Sequence, residues 1–549
     1  MHVVIAPADR GVIATEVDDA GLPTAEPTAL RDAEYARYVA QSAPTTRWVW
    51  EDTAVSYPPL LRAGVRVERC ADLRLCRAIL RHSTLSAGSP VATGPRDALD
   101  GESPLLGPAS AQTLFDIGAE AEHIDPVLEH QRQLATVAAA PEPGRLRLLL
   151  AAESAGALAA AEMRFAGLPW SAARHEALLA DLLGPRGPAG ARPARLEELA
   201  REIRAALGAP TLNPDSPQEV LAALRAAGLV VNTTRSADLR RIEHPAIPPL
   251  LDYKKRSRIL SANGWSWLDT WVVDGRFRAD FLPGGVPSGR WAARGGGALQ
   301  LPKQLRSAVV ADPGWKLVVA DAAQLEPRVL AALSGDLTMA DAGRGRDLYE
   351  GIVATGAVPD RNSAKYAMLG AIYGATAGQG GRLLPRLGQA FPRAMGLVEA
   401  AARQGERGEA VTTRLGRSTA AAGAGWRDAQ WSASSPDASA VDERRARAQA
   451  RERGRFTRNF VVQGTAAEWA LCWLAELRRR LAALPADGGR PELVYFLHDE
   501  VLVHTPEVLA GPVAQAVEEA AGAAGRLMFG TFPIDFPLEV AVVDDYGQA

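Results

Sequence analysis

Short apolar runs and longer amphipathic stretches alternate along the chain, and their order predicts a mixed α/β protein. VVIAP near the start and TRWVW at 46–50 have the length and β-branched or aromatic content of strands. CADLRLCRAILRH puts its apolar residues at helical spacing, so the front of the chain reads as a small α/β unit. After PEPG near residue 140, an Ala/Leu-rich helix is expected from Arg145 through Phe165. Gly and Pro then punctuate 182–193 into a loop, and Ser216-Pro217 marks a helix start in NPDSPQEVLAALRAAG. The segment LLDYKKRSRIL follows as another helix. Beyond residue 270 come short β-like runs, a glycine-rich loop carrying Arg290 and Arg294, a buried strand WKLVVAD and a hairpin LVYFLHDEVLVHT. Between the last two lie helices and an Ala/Gly/Ser-rich stretch at 418–440, read as a loop.

Composition changes this picture little. With 549 residues and 47% hydrophobic positions, the chain can bury several cores and is not disordered as a whole. The three cysteines form no CxxC pair, which argues against a zinc ribbon or disulfide framework and for a reducing compartment. No apolar run approaches the roughly 18 residues of a membrane span, and the N-terminus lacks the pattern of a signal peptide. A soluble, cytoplasmic protein is expected.

Three distant segments carry candidate chemistry. In VVADAAQLEPRVL, Asp321 emerges from the end of an apolar strand, where an aspartate also commonly caps a following helix. In RNSAKYAMLGAIYG, Arg361, Lys365, Leu369 and Tyr373 recur every four residues and share one helix face. Two cations, an aliphatic residue and a phenol make a poor core stripe but suit a nucleotide, with cations on phosphates and apolar groups on sugar and base. Gly370 and Gly374 leave room for close approach. In LVYFLHDEVLVHT, His498, Asp499 and Glu500 sit where two apolar strands reverse. If Asp321 and Asp499 end neighbouring strands, they form a cradle for Mg²⁺, and two such ions support in-line displacement at phosphorus.

Together these segments resemble motifs A, B and C of the family A DNA polymerases. The motif B pattern RxxxKxxxFGxxYG is matched at Arg361, Lys365, Gly370, Tyr373 and Gly374, and His498, Asp499 and Glu500 match motif C. Motif A keeps Asp321, Gln324, Glu326 and Arg328. Further family-like pieces follow in order: SGR at 288–290, Leu299-Gln300, LGR at 415–417 and RFTRNFVVQGTAAE from Arg455. The resemblance covers roughly residues 150–549.

It implies an α+β right-hand polymerase: thumb at 146–270, palm at 271–340 and 456–549, fingers at 341–455. Before these comes an RNase H-like, 3′-5′ exonuclease-type domain at 1–145. It implies that Asp321 and Asp499 bind two Mg²⁺ ions, with Glu500 and His498 supporting the primer end and Lys365 completing the catalytic set. Arg361 and Lys365 would hold the incoming triphosphate. Tyr373 would stack near the template, Leu369 and Gln324 would line the nucleotide site, and Glu326 would crowd a ribose 2′-hydroxyl. Arg290, Gln300, Arg455, Asn459 and Gln463, with Lys254 and Arg256 from the thumb, would contact primer–template DNA sequence-independently. The expected partners are that DNA and dNTPs, with the chain acting as a monomer in a bacterial cytoplasm.

Departures qualify the match. Ala322-Ala323 replaces the usual Tyr-Ser, Pro327 an aliphatic residue, and Leu369 an aromatic one, which removes ring stacking and predicts altered sugar discrimination. In the front module the loose candidates for exonuclease carboxylates are Glu16, Asp52 and Asp125. Ala14 and Ala121 stand where an aspartate and a tyrosine are expected, so the module is read as degenerate. Single-subunit phage-type RNA polymerases share the Asp, Lys and His-Asp logic, but Glu326 and the complete His-Asp-Glu point away from them. An inactive DNA-binding scaffold would have lost its metal carboxylates, and both are present.

Net charge is the last constraint. A balance of −3 argues at first against a nucleic-acid partner. It averages unlike modules. Residues 1–150 carry 20 acids against 14 bases (−6), while 401–460 carry 12 arginines against 7 acids (+5).

Overall fold

The computed structural model describes every residue except 102–123, 189, 298–300, 375–377 and 487, and gives no side chains for 378–380. The chain forms two compact units. The first comprises Met1–Ala166, Asp280–Ala293 and Val318–Val542; the second comprises Gly167–Ala279, Arg294–Leu317 and Val543–Ala549.

The front of the first unit is the expected α/β module. Strands His2–Ala8, Gly11–Val17 and Thr28–Leu30 form an antiparallel meander, and Arg47–Trp50 and Arg69–Asp72 join parallel to its first strand. Val3, Ile5, Trp48 and Trp50 face a core that also takes Tyr57 and Leu60. Helix Leu73–His82 begins at Asp72, whose carboxylate accepts from the Leu75 N–H. The three loose acids have structural partners. Asp52 caps helix Thr53–Arg62 and lies 3.5 Å from Arg74, Asp125 caps helix Pro126–Ala139, and Glu16 accepts from the Tyr38 hydroxyl.

A second sheet of the same unit has the spatial order Glu492–Leu497, Glu500–Pro506, Trp315–Ala322, Leu538–Val543. The hairpin expected at LVYFLHDEVLVHT is its first pair, with Leu497 opposite Glu500. Helix Ala440–Ala483 runs through the unit. It starts at a reciprocal cap between Ser439 and Asp442 and buries Phe460, Val462, Trp469 and Trp473. Helix Pro392–Glu406 packs so closely on it that a Cβ on Gly405 would lie 2.1 Å from the Thr457 hydroxyl.

Buried ion pairs tie this helix to its neighbours. Glu162 accepts from Arg478 Nε and Nη2 at 2.8 and 2.7 Å and from the Tyr57 hydroxyl at 2.6 Å. Arg478 outweighs the burial penalty and holds Glu162 below the ordinary carboxylate range, with Arg66 and Tyr57 adding to the effect. A separate buried pair joins Arg417 to Glu153 of helix Pro143–Ala166 at 2.6 Å, and there burial outweighs the arginine and raises the Glu153 carboxyl.

The second unit is mostly helical, with a core of Leu179, Leu196, Ile203, Leu224, Leu250 and Tyr253. Ser216 caps helix Pro217–Ala226 as its sequence predicts, and LLDYKKRSRIL lies in helix Ile247–Asn263.

One expectation needs correction. The supposed loop at 418–440 contains helix Ala424–Ala433. It buries no residue fully, so no apolar period announces it; Trp426 packs at Gly408, and Gln430 donates to the Ala446 carbonyl at 2.9 Å. The boundaries at 145/146 and 455/456 fall inside the continuous helices Pro143–Ala166 and Ala440–Ala483. Residues 294–317 and 543–549, assigned above to the palm, group with the second unit, partly through Asp545 with Arg174 and Asp544 with Lys316. Among the described residues no helix is long and apolar enough to cross a membrane.

Breaking a buried ion pair leaves a charge without its partner and costs about 3–5 kcal/mol, whereas an exposed i,i+4 pair contributes about 0.3–0.5 kcal/mol. Urea denaturation of Arg478→Met should therefore show a loss several times that of Arg447→Ala, whose partner is the exposed Glu443. Equal losses would contradict the assigned role of the Glu162 pair.

Candidate active site

Two strand ends meet at the centre of the second sheet. The Ala322 N–H donates to the Asp499 carbonyl at 2.8 Å, which sets Asp321 and Asp499 beside one another. Asp499 occupies the two-residue turn of the hairpin with His498, whose backbone is left-handed at φ 59°. That conformation is uncommon for a residue with a Cβ and is held here by the buried strands on either side. Burial and the neighbouring Asp321 charge push the Asp499 carboxyl up to about 7, with Arg290 partly opposing them. Burial, then the Arg290 cation, push His498 down to about 4, so its ring is neutral near pH 7. The His498 Nδ1 is buried without a protein partner. Glu500 opens the second hairpin strand and is buried.

Opposite stands the helix predicted from the four-residue stripe, Arg361–Tyr373. Asp360 caps its start by accepting from the Ser363 N–H at 2.9 Å, and Gly374 ends it at φ 72°. Met368, Ala371 and Ile372 bury its back in the core. Arg361, Lys365, Leu369 and Tyr373 are left to line a cavity of about 340 Å³, which Asp321, Asp499 and His498 also line.

Two polar networks organise its walls. Tyr373 donates its hydroxyl to both oxygens of Glu326 at 3.0 and 3.1 Å, and Arg290 donates to Glu326 Oε1 at 2.5 Å. Burial and the Glu326 charge raise the Tyr373 phenol, so it remains a donor at neutral pH. In the second network Asp347 accepts from Arg361 at 2.8 Å and from Gln324 Nε2 at 3.1 Å. Gln324 has left-handed backbone at φ 52°, and its side-chain Oε1 accepts from the Leu348 N–H at 3.1 Å. The Arg361 guanidinium lies 5.6 Å from the Tyr349 ring centroid. Lys365 is exposed and has no ion pair among the described residues.

Arg328, fully buried, fastens this wall. It donates to the carbonyls of Ala323, Gly343 and Arg346 and to the Asp535 carboxylate. The replacements beside Asp321 are compatible with this packing: Ala322 is buried, and Pro327 occupies the first turn of helix Leu325–Ser334, where its missing N–H leaves no intrahelical bond unmade.

The predicted DNA contacts divide. Arg290 lines the cavity. Arg455, Asn459 and Gln463 occupy successive turns of the long helix, Gln463 lies beside the Tyr373 phenol and lowers its pKa against the burial penalty, and the Arg455 stem packs so near Gly374 that a Cβ there would lie 2.8 Å away. The Asn459 Oδ1 is buried without a protein partner. Lys254 belongs to the second unit, as does Arg256, which is engaged by Asp252 at 2.9 Å. Gln300 lies outside the described residues.

Sequence reasoning missed Asp347, which links Arg361 to Gln324, and Tyr349, whose ring lies near the Arg361 guanidinium. The local signal at Asp347 is that of a helix cap, and it does cap Leu348–Ala354 by accepting from the Glu350 N–H. Among the described residues no group of three or more His, Cys, Asp or Glu is placed to hold a metal. The protein's own contribution to a cation would be the Asp321–Asp499 pair, and the elevated Asp499 carboxyl is what two crowded carboxylates awaiting a cation display.

Comparison with known proteins agrees with the motifs. A family model described as DNA polymerase family A matches residues 191–545. The thermostable DNA polymerase I of Thermus filiformis is 30% identical over 334 residues, 54% of this chain and 36% of that protein. DNA polymerase I of Chloroflexus aurantiacus is 26% identical over 351 residues, 58% of this chain and 34% of that protein. The match thus spans about a third of each relative's length. Among solved structures, the POL domain of Pol1 from M. smegmatis, in complex with DNA primer-template and dNTP, has the same fold, with a TM-score of 0.67 and 19% identity. It covers 100% of this chain and 95% of that one.

The Asp321 charge contributes to the elevation of Asp499, so Asp321→Asn should lower it. Carboxyl-resolved NMR titration of the metal-free chain should move the Asp499 midpoint from about 7 toward ordinary carboxylate values. An unchanged midpoint would mean that the two groups do not interact.

Proposed function

The chain belongs to the family A DNA polymerases, and from that premise we propose that it extends a primer 3′ end with deoxynucleotides as its template directs. The observation that carries the proposal is the Asp321–Asp499 pair facing the Arg361–Lys365 helix across one cavity.

Family A polymerases use divalent metal ions. Asp321 and Asp499 would hold two Mg²⁺, which when bound activate the primer hydroxyl and neutralise charge on the transferring phosphate. Asp499 enters largely protonated below about pH 7, so the site gains its full negative charge as pH rises through that value. Lys365, with no acid partner of its own, is available to the triphosphate. Arg361 can join it by exchanging Asp347 for a phosphate, since Asp347 keeps Gln324 and the Glu350 N–H as donors. Neutral His498 and the buried Glu500 support the primer end.

Glu326, held from two sides by Tyr373 and Arg290, forms a fixed wall against a ribose 2′-hydroxyl. Leu369 packs on sugar and base without ring stacking. Arg290, Arg455, Asn459 and Gln463 would follow the primer–template duplex, with Gln300 and Lys254 assigned to it by family pattern. We read the front module as a scaffold without exonuclease activity, because Glu16, Asp52 and Asp125 are committed to separate structural partners. The three free, buried cysteines and the bacterial relatives support action in a reducing bacterial cytoplasm, and we propose that the chain acts there as a monomer.

Primer extension with the four dNTPs and Mg²⁺ tests the reading. The wild-type chain should extend, and Asp499→Ala should lose about 10³-fold or more of the rate while still binding duplex. Extension with rNTPs alone, or undiminished extension by Asp499→Ala, would overturn it. Glu326→Ala should raise ribonucleotide incorporation by about tenfold or more, equivalent to about 1.4 kcal/mol of lost discrimination. Leu369→Phe should shift the relative use of deoxy- and dideoxynucleotides; an unchanged ratio would show that this position does not read the sugar.

A further inference from the structure

A second cleft in the first unit shares no residue with the cavity between Asp321 and Lys365. It encloses about 650 Å³ and is floored by small apolar residues of helix Pro143–Ala166, notably Ala151, Ala152 and Ala155. Six arginines line it. Three are accounted for: Arg478 by Glu162, Arg479 by Glu476, and Arg66 by its position within 4 Å of Glu162 and Glu492.

The other three are not. Arg47, Arg69 and Arg490 have no ion pair among the described residues. Arg47 and Arg69 also face each other as register partners on neighbouring parallel strands. Like charges directly opposed across strands are destabilising. Arg47 is partly buried, and of its five donors one is used, by Nη1 to the Cys70 carbonyl at 3.0 Å. Burial, with Arg69 adding to it, disfavours its charged form. Arg47, partly buried with most of its donors unused, favours an anion. Although Glu68 also lines the cleft without an ion pair among the described residues, three unpaired guanidinia against that one carboxylate match a polyanion better than a single carboxylate. The alanine floor offers a flat apolar surface to a base, and the volume is that of a small-molecule site.

We propose that this cleft is a second nucleotide site. It takes a nucleoside triphosphate with its phosphates on Arg47, Arg69 and Arg490 and its base against the helix, independently of polymerisation.

The test is calorimetric titration of ATP, without divalent ions, into the full chain carrying Lys365→Ala to weaken the polymerase site. One ATP should bind per chain, tripolyphosphate should compete, and adenosine should not bind. Adding Arg69→Gln and Arg490→Gln, both at exposed positions, should weaken ATP binding by about tenfold or more. The same two substitutions in the otherwise wild-type chain should leave primer extension on a short template at its normal rate, which separates this site from the polymerase reading. Affinity unchanged by the arginine substitutions, or no saturable binding below about 1 mM, would overturn the proposal. So would a 5′-phosphorylated oligonucleotide that displaces ATP and binds more tightly through the same arginines, since the occupant would then be a strand.

Discussion

The hydrogen bond from the Ala322 N–H to the Asp499 carbonyl fixes the arrangement on which everything else depends. It registers the end of one strand against the turn of a hairpin and so crowds two carboxylates at the mouth of a buried sheet. Burial, and then the neighbouring Asp321 charge, make the ionised pair unfavourable in isolation, as the elevated Asp499 carboxyl shows. A fold keeps an arrangement of this kind when a cation relieves it and chemistry requires the cation there.

Rigidity follows from how the surroundings are anchored. Arg328 donates to the carbonyls of Ala323, Gly343, Arg346 and Asp535 from a fully buried position, which ties the turn after Asp321 to the loop before Asp347. The long helix brings Gln463 to the Tyr373 hydroxyl, and two turns further on Cys472 and Trp473 enter the core. Its Arg478 is locked to Glu162. Arg478 also donates to the carbonyls of Val67 and Glu68, so the front module is part of the scaffold that holds the sheet.

Much of this was legible in the residues. The strand before Asp321, the hairpin at His498-Asp499 and the stripe from Arg361 to Tyr373 each follow from apolar periodicity and cap residues, and all three occur. What escaped has physical reasons. Asp347 looks like a helix cap because it is one, and its second task through Arg361 exists only once the chain is folded. Helix Ala424–Ala433 buries nothing completely and so has no pattern to read. Boundaries taken from family resemblance fall inside two continuous helices, Pro143–Ala166 and Ala440–Ala483. The −3 net charge misled for a related reason: it summed a front module and an arginine-rich segment of opposite sign.

The central claim is that Asp321 and Asp499 form the metal cradle of a polymerase. Its most direct test is anomalous diffraction from crystals of the chain with a dideoxy-terminated primer, its template, the matching dNTP and Mn²⁺. Two manganese peaks should appear, shared by Asp321, Asp499 and the triphosphate, and both should be lost in Asp499→Ala. Manganese bound elsewhere, or two peaks that persist without the Asp499 carboxylate, would contradict it.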